Sequence, residues 1–239
     1  MKPWPLLLLC LGLSTLAQGS EPRPFDARYQ AKALGMTAAA SRRQSLTDDG
    51  NFLLENRISL TILGANVGTV VETSEFHWQE GDIQPLHYRY DQSGISSSRE
   101  AIDFDWTQGR AHSSNDDGSW DFDISSGMLD KLSYSVRLAE DLQQTDQTEF
   151  HYTVLDEDDI KEHVYRISAE EVLDTRLGKL NTVKIERVRE DDSPRRTTVW
   201  LARDWDYLLV RLEQVSRSGT STELMLESAT VGDTPVEGL

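Results

Sequence analysis

Asp105, His112 and Asp121 are the residues of this sequence whose types and spacing come nearest to a chemical site. If Gln108-Gly109 forms a two-residue turn, Trp106 pairs with Ala111 and Asp105 lies opposite His112. If Asn115–Gly118 forms the next connection, Ser114 pairs with Ser119 and His112 faces Asp121; a tighter Asp117-Gly118 turn puts Asp123 there instead. Either register leaves an Asp-His-Asp row on one polar face, with Trp106 and Phe122 on the other. Carboxylates on both sides of an imidazole favour its cationic form, the chemistry of a metal site or a pH-sensitive contact. Cross-strand pairing on a wet face explains the same row, at about 0.2–1 kcal/mol per pair. A third strong ligand is missing from the local sequence, so pairing is the preferred reading and no metal is assigned.

Other chemical signatures are weaker. Asn115-Asp116-Asp117-Gly118-Ser119 has the look of a calcium loop, but its glycine is misplaced and no Glu closes it at the twelfth position. Gly94-Ile95-Ser96 and Ser126-Gly127 do not make a nucleophile elbow, because Gly-x-Ser-x-Gly does not occur. The sequence holds no Gly-x-Gly-x-x-Gly and no phosphate loop. His77, His87, His151 and His163 stand singly on strand-like segments, where packing or solvation accounts for them. No catalytic residue and no cofactor are therefore assigned.

The elements that position these residues are strands. Period-two alternation runs through Phe25–Ala33, then Phe52, Leu54, Ile58, Leu60 and Ile62, then Leu86, Tyr88 and Tyr90. It returns in Ile102, Phe104 and Trp106, in Trp120, Phe122 and Ile124, and in Phe150, Tyr152 and Val154. Val183 with Ile185, Val199–Leu201, Val210 with Leu212, and Leu224 with Leu226 complete the series. Turns at Asp49-Gly50, Glu80-Gly81-Asp82, Asp117-Gly118, Leu177-Gly178 and Ser218-Gly219 separate them. One apolar face per strand means antiparallel pairing covered on one side. The expected fold is all-β: a single curved sheet forming a half-barrel or barrel-like domain over residues 20–239. Loose ends are expected at 20–24 and 232–239. Within Gly127–Gln144, Leu129, Leu132 and Val136 recur at helical spacing, although Leu132, Tyr134, Val136 and Leu138 also alternate. One short helix is expected around 128–142, started by Ser125 or Ser126 and lying against the concave face.

Residues 1–19 read as a cleavable export signal: Lys2, an apolar run from Leu6 to Leu13, and small residues before Gly19. Cys10 lies inside that run behind Leu9, so it is read as a discarded signal residue rather than a lipid anchor. Cleavage leaves a chain without cysteine, which excludes disulfides and thiol chemistry, and without a segment of transmembrane length. The formal net charge is −17. Such a field repels phosphate backbones and anionic surfaces, so nucleic acid is not an expected partner. The expected location is the periplasm.

The order of several segments resembles the bacterial envelope family known as domain of unknown function 3108. The matching pieces begin with Phe25–Tyr29, Pro85-Leu86-His87-Tyr88-Arg89-Tyr90 and Asp103-Phe104-Asp105-Trp106. Asp130-Lys131-Leu132-Ser133-Tyr134 and the run Leu173–Lys184 follow, and then Thr198–Asp204 and Tyr207–Arg211. Leu209 departs from the family's pattern, where a proline is expected. The resemblance implies secretion, a β-rich domain and a short helix in Asp130–Leu138, and it supplies no catalytic residues. By analogy of fold it also points to periplasmic lipoprotein-carrier half-barrels and their sensor relatives.

Three functions follow as expectations. The first is a non-catalytic periplasmic binding or accessory protein, its curved sheet holding an apolar or lipid-like ligand or an envelope partner. The second is a structural or regulatory module that pairs through a sheet edge. The third is a hydrolase of envelope polymers using carboxylates such as Asp105 and Asp121.

Overall fold

The computed structural model describes residues 21–79, 81–94, 96–189 and 193–239. The expected signal, residues 1–19 with Cys10, lies outside the described residues. The first meander runs β1 (Phe25–Ala33), β2 (Met36–Leu46), β3 (Phe52–Ile62), β4 (Ala65–Gln79), β5 (Asp82–Gly94), β6 (Ser98–Asp105), β7 (Arg110–Asn115) and β8 (Ser119–Asp123). After β9 (Leu129–Asp130) and helix α1 (Tyr134–Gln144), the second runs β10 (Glu149–Asp156), β11 (Asp159–Thr175), β12 (Gly178–Val188), β13 (Arg196–Ala202), β14 (Leu208–Val215), β15 (Ser221–Val231) and β16 (Thr234–Pro235).

Sequence neighbours are sheet neighbours throughout both meanders, and β1 pairs with β15 to join them into one 16-stranded sheet. The ladder is antiparallel except where β9 pairs with β10. This is an all-β curved sheet with one helix, open rather than closed into a barrel. Its free edges, β8 and β9, are joined by residues 124–128 alone. A connection that short spans at most about 20 Å, so the sheet must curl until its two edges nearly meet.

The alternation read from the sequence becomes the concave face. Phe52 and Leu54, Phe76, Tyr88 and Ile102 are essentially inaccessible to water there. Each such side chain contributes about 1.5–3 kcal/mol of burial. Together with Val136, Leu138 and Leu142 of α1 and residues of β10, they form one packed cluster. A second cluster gathers Ala27, Tyr29, Leu180, Val210 and Leu226 beneath the β1–β15 junction.

The helix starts at Tyr134, later than the leucine spacing suggested. Asp130 sets the boundary. Its Oδ1 accepts from the Leu132 and Ser133 backbone N–H groups, both at 2.7 Å, and its Oδ2 accepts from Ser74 of β4 at 2.6 Å. Ser133 Oγ in turn accepts from the Asp130 N–H, so this N-terminal residue makes no side-chain cap. The helix ends at Gln144, where extended Thr145 still donates to Asp141 O.

The C-terminal residues expected as a loose end are tied down. Gly238 and Leu239 donate to the carbonyls of Leu177 and Lys179, at 2.7 and 2.8 Å. Val236 is buried in the second cluster, which gives this segment an apolar anchor as well.

Candidate ligand pocket

The structure gives the Asp-His-Asp row a different register. Asp105 pairs with Arg110, and Asp103, not Asp105, lies opposite His112. The cause is Asp105 itself: its Oδ1 accepts from the Thr107 N–H, the Thr107 hydroxyl and the Gln108 N–H. That organises a longer loop over residues 106–109 in place of a two-residue turn. The Thr107 hydroxyl, with the backbone donors behind it, holds the Asp105 carboxyl below the usual carboxylate range. Trp106 consequently does not pair with Ala111; it stacks on Phe104 and donates to Pro85 O.

The other half of the row is as read. His112 faces Asp121, with Nδ1 and Oδ1 2.9 Å apart, after the connection at residues 115–118. Asp103 is held by Arg89 at 2.5 Å and by His87 at 2.7 Å. Asp121 and His112 are exposed on the outer face. Among the described residues, no group of three or more His, Cys, Asp or Glu side chains is placed to hold a metal ion.

The concave side carries a different site. Between α1, the N-terminal segment and strands β2, β13 and β14 lies a half-open pocket of about 140 Å³. Its walls are mainly apolar: Phe25, Val136, Leu138, Val199, Leu201 and Leu209 all face it. Phe25 and Leu209 pack against both core clusters, so the pocket occupies the seam where the two meet. Tyr134 and Tyr165, stacked at 5.3 Å, add aromatic wall.

Polar groups enter at two places. Arg42 of β2 donates from Nη1 to Asn56 Oδ1 at 3.1 Å and from Nη2 to Ser135 Oγ at 2.5 Å. Ser135 can accept because its own proton goes to Leu132 O at 2.6 Å. Both partners of Arg42 are neutral, and it forms no ion pair among the described residues. Burial pulls the guanidinium pKa down, while Tyr29, Tyr134 and Glu72 push it up. Glu72 is linked to Arg42 through Asn56, which donates to it at 3.2 Å. The row is transverse: Arg42, Asn56, Glu72, Tyr90 and Glu100 are successive cross-strand partners from β2 to β6.

At the second place Glu140 of α1 lines the pocket while almost wholly buried, and burial pushes its carboxyl up to about 7. Gln144 and Arg137 act against that rise, and the nearby Asp206 and Asp141 carboxylates add to it. Asp206 is itself paired with Arg23 at 2.5 Å. Gln44, beside Arg42 on the inward parity of β2, donates to Arg23 O.

Neither Arg42 nor Glu140 stands out in the sequence. Strand β2 presents Ala38, Ala40, Arg42 and Gln44 inward, so it lacks the alternation that marks its neighbours. The available signal was negative: a stretch between two well-patterned strands with nothing large to bury.

A family model described as "Protein of unknown function (DUF3108)" matches residues 25–227. Curated proteins provide no match. Among solved structures, the chain is similar to a β-barrel-like protein of domain of unknown function DUF1849 from Brucella abortus. Identity is 9%, coverage 88% of this chain and 98% of that one, and the TM-score 0.58. A weaker likeness, TM-score 0.34 at 10% identity, is to a proposed lipoprotein from Parabacteroides distasonis, covering 87% of this chain and 95% of that one.

Proposed function

The chain belongs to the DUF3108 family, and because that membership assigns no activity we propose its function from the pocket. It is a non-catalytic binding protein that holds the apolar part of an amphiphile between α1 and the sheet, the molecule's anionic end at Arg42. The observation that carries this reading is the Arg42 cation on a mainly apolar wall, hydrogen-bonded only to neutral partners. A buried charge is costly unless an opposite charge meets it, and a ligand carboxylate or phosphate supplies one. Pockets that are mainly apolar with a few placed polar groups are the usual form of small-molecule sites. A space of about 140 Å³ takes a ring or a short run of methylenes, and the open side lets a longer chain continue outward.

The signal-like residues 1–19 support a periplasmic setting for this activity. The alternatives draw less support. Edge strand β8 is short and carries Asp121 and Asp123, which discourages pairing with another chain. Asp105 is occupied in its own loop, and neither it nor Asp121 belongs to the pocket.

Native mass spectrometry of the protein purified from cells without detergent, followed by solvent extraction, tests the proposal. An extra mass that extracts as an anionic lipid is the expected result. A bare chain that also takes up no fatty acid or lysolipid in solution rejects it.

A further inference from the structure

Two neighbouring hairpins end in the same dipeptide. Leu34-Gly35 joins β1 to β2, and Leu63-Gly64 joins β3 to β4. Both residues of each turn have positive φ, 52° and 75° in the first and 50° and 83° in the second. That is the two-residue turn for which Asn-Gly is the favoured sequence, and a bulky leucine is among the least suited residues to its first position. Local stability is therefore given up twice to place a leucine at a tip. Neither leucine is covered: Leu34 is 74% and Leu63 103% exposed, and Met36 and Ile62 beside them are exposed as well.

The charge of this arc of the sheet's end is as unusual as its apolarity. The β3–β4 hairpin is flanked by β1–β2 and β5–β6, and β1–β2 adjoins β14–β15 on its other side. All four tips project from one end of the strands: Ala33 pairs with Thr222 beside the β14–β15 tip, and Gly68 pairs with Gly94 beside the β5–β6 tip. The chain has 41 acidic residues in 239, yet residues 31–38, 58–70, 92–98 and 214–222 contain none. They do contain Lys32 and Arg217, both exposed.

We propose that these tips are a lipid-bilayer docking surface, Leu34 and Leu63 entering the head-group region while Lys32 and Arg217 meet lipid phosphates. A bilayer is favoured over a protein partner by shape. The apolar side chains stand on separate turns, whereas a stable protein interface needs about 800 Å² of fitted surface on each side. A bilayer accepts individual projecting side chains and rewards their burial together with basic neighbours. Charge favours it too, because this arc of four adjacent tips is free of carboxylates. Further round the same end, the β7–β8 tip carries Asp116 and Asp117 and the β10–β11 tip carries Asp156, Glu157, Asp158 and Asp159, so this acidic chain can approach phosphate-rich head groups only with the carboxylate-free arc foremost. The inference rests on the hairpin tips alone and stands independently of the pocket.

The test is flotation of the protein, purified from cells, with vesicles of phosphatidylcholine containing a minority of phosphatidylglycerol. Leu34→Asn with Leu63→Asn is the informative variant, since asparagine suits the turn and should keep or raise the thermal midpoint. The expected result is flotation of the wild type and about a tenfold weaker partition of the double variant. Arg42→Met should float like the wild type, which separates this surface from the pocket. Equal partition of the double variant and the wild type overturns the proposal. So does a wild type that ignores vesicles while its tips cross-link to an envelope protein.

Discussion

Arg42 and Ser135 meet across the concave face, the guanidinium of a sheet strand donating to a hydroxyl in the first turn of α1 at 2.5 Å. The contact fixes the helix over the sheet and keeps the cation at the pocket wall. Ser135→Ala removes the acceptor without touching the charge. It should lower stability by about 1 kcal/mol, read as a shift in urea midpoint at constant m, and leave uptake of an anionic amphiphile intact. Loss of uptake in this variant would mean that helix placement, not the guanidinium, governs binding.

Glu140 makes the pocket pH-sensitive. Its pKa is raised to about 7 by burial, so the folded protein holds a proton that the unfolded chain releases near the ordinary glutamate value. Stability from this group is greatest below that ordinary value and falls as pH rises through about 7. Glu140→Gln should flatten this decline by about 2 kcal/mol in urea titrations between weakly acidic and weakly alkaline buffer. The same variant should stop the weakening of anionic-ligand binding over that range, since the ionised carboxylate lines the same pocket.

The opposite slope belongs to His163. It is buried, both ring nitrogens lack partners among the described residues, and burial pulls its pKa down to about 4. The fold therefore refuses a proton that the unfolded chain accepts, and stability is lost as pH falls from the ordinary histidine value towards about 4. Its ring stands edge-on to Tyr134 at 5.5 Å, a contact that phenylalanine can keep. His163→Phe should raise stability by about 1–2 kcal/mol and reduce the acid limb. A variant with the wild-type acid limb would place the titrating group elsewhere.

Asp130 ties edge strand β9 to β4 and stops the helix from starting earlier. Asp130→Ala leaves the Ser74 hydroxyl and two backbone N–H groups without their acceptor, a loss of about 3 kcal/mol. Asp130→Asn retains an acceptor oxygen and should cost about 1 kcal/mol. Equal urea midpoints for the two variants would show that the hydrogen-bond set is not what holds this corner.

The sheet was largely legible because Phe52 and Leu54, or Trp120 and Phe122, announce one buried face each. The register around His112 was not, since Asp105 uses its carboxylate to lengthen its own loop, an outcome that a glycine-centred turn rule does not anticipate. The helix start was obscured in the same way: Leu129, Leu132 and Val136 keep helical spacing, but the Asp130 side chain takes the N–H groups that would begin the helix. The pairing of Phe25 with Val231 joins the two ends of the chain, and no local pattern marks a contact at that separation. An apolar ligand within the curved sheet is an expectation the sequence supports, but Arg42 is not legible there, because it occupies an inward position that alternation reserves for apolar residues.

The proposed function places the anionic end of an apolar ligand at Arg42. Equilibrium binding of a fluorescent long-chain fatty acid and of its alcohol analogue to the delipidated protein, wild type against Arg42→Met, tests it most directly. The wild type should prefer the acid by about tenfold or more, the worth of one charge-assisted hydrogen bond, and Arg42→Met should bind both alike. Equal affinity of the wild type for acid and alcohol, or an undiminished preference in the variant, would contradict it.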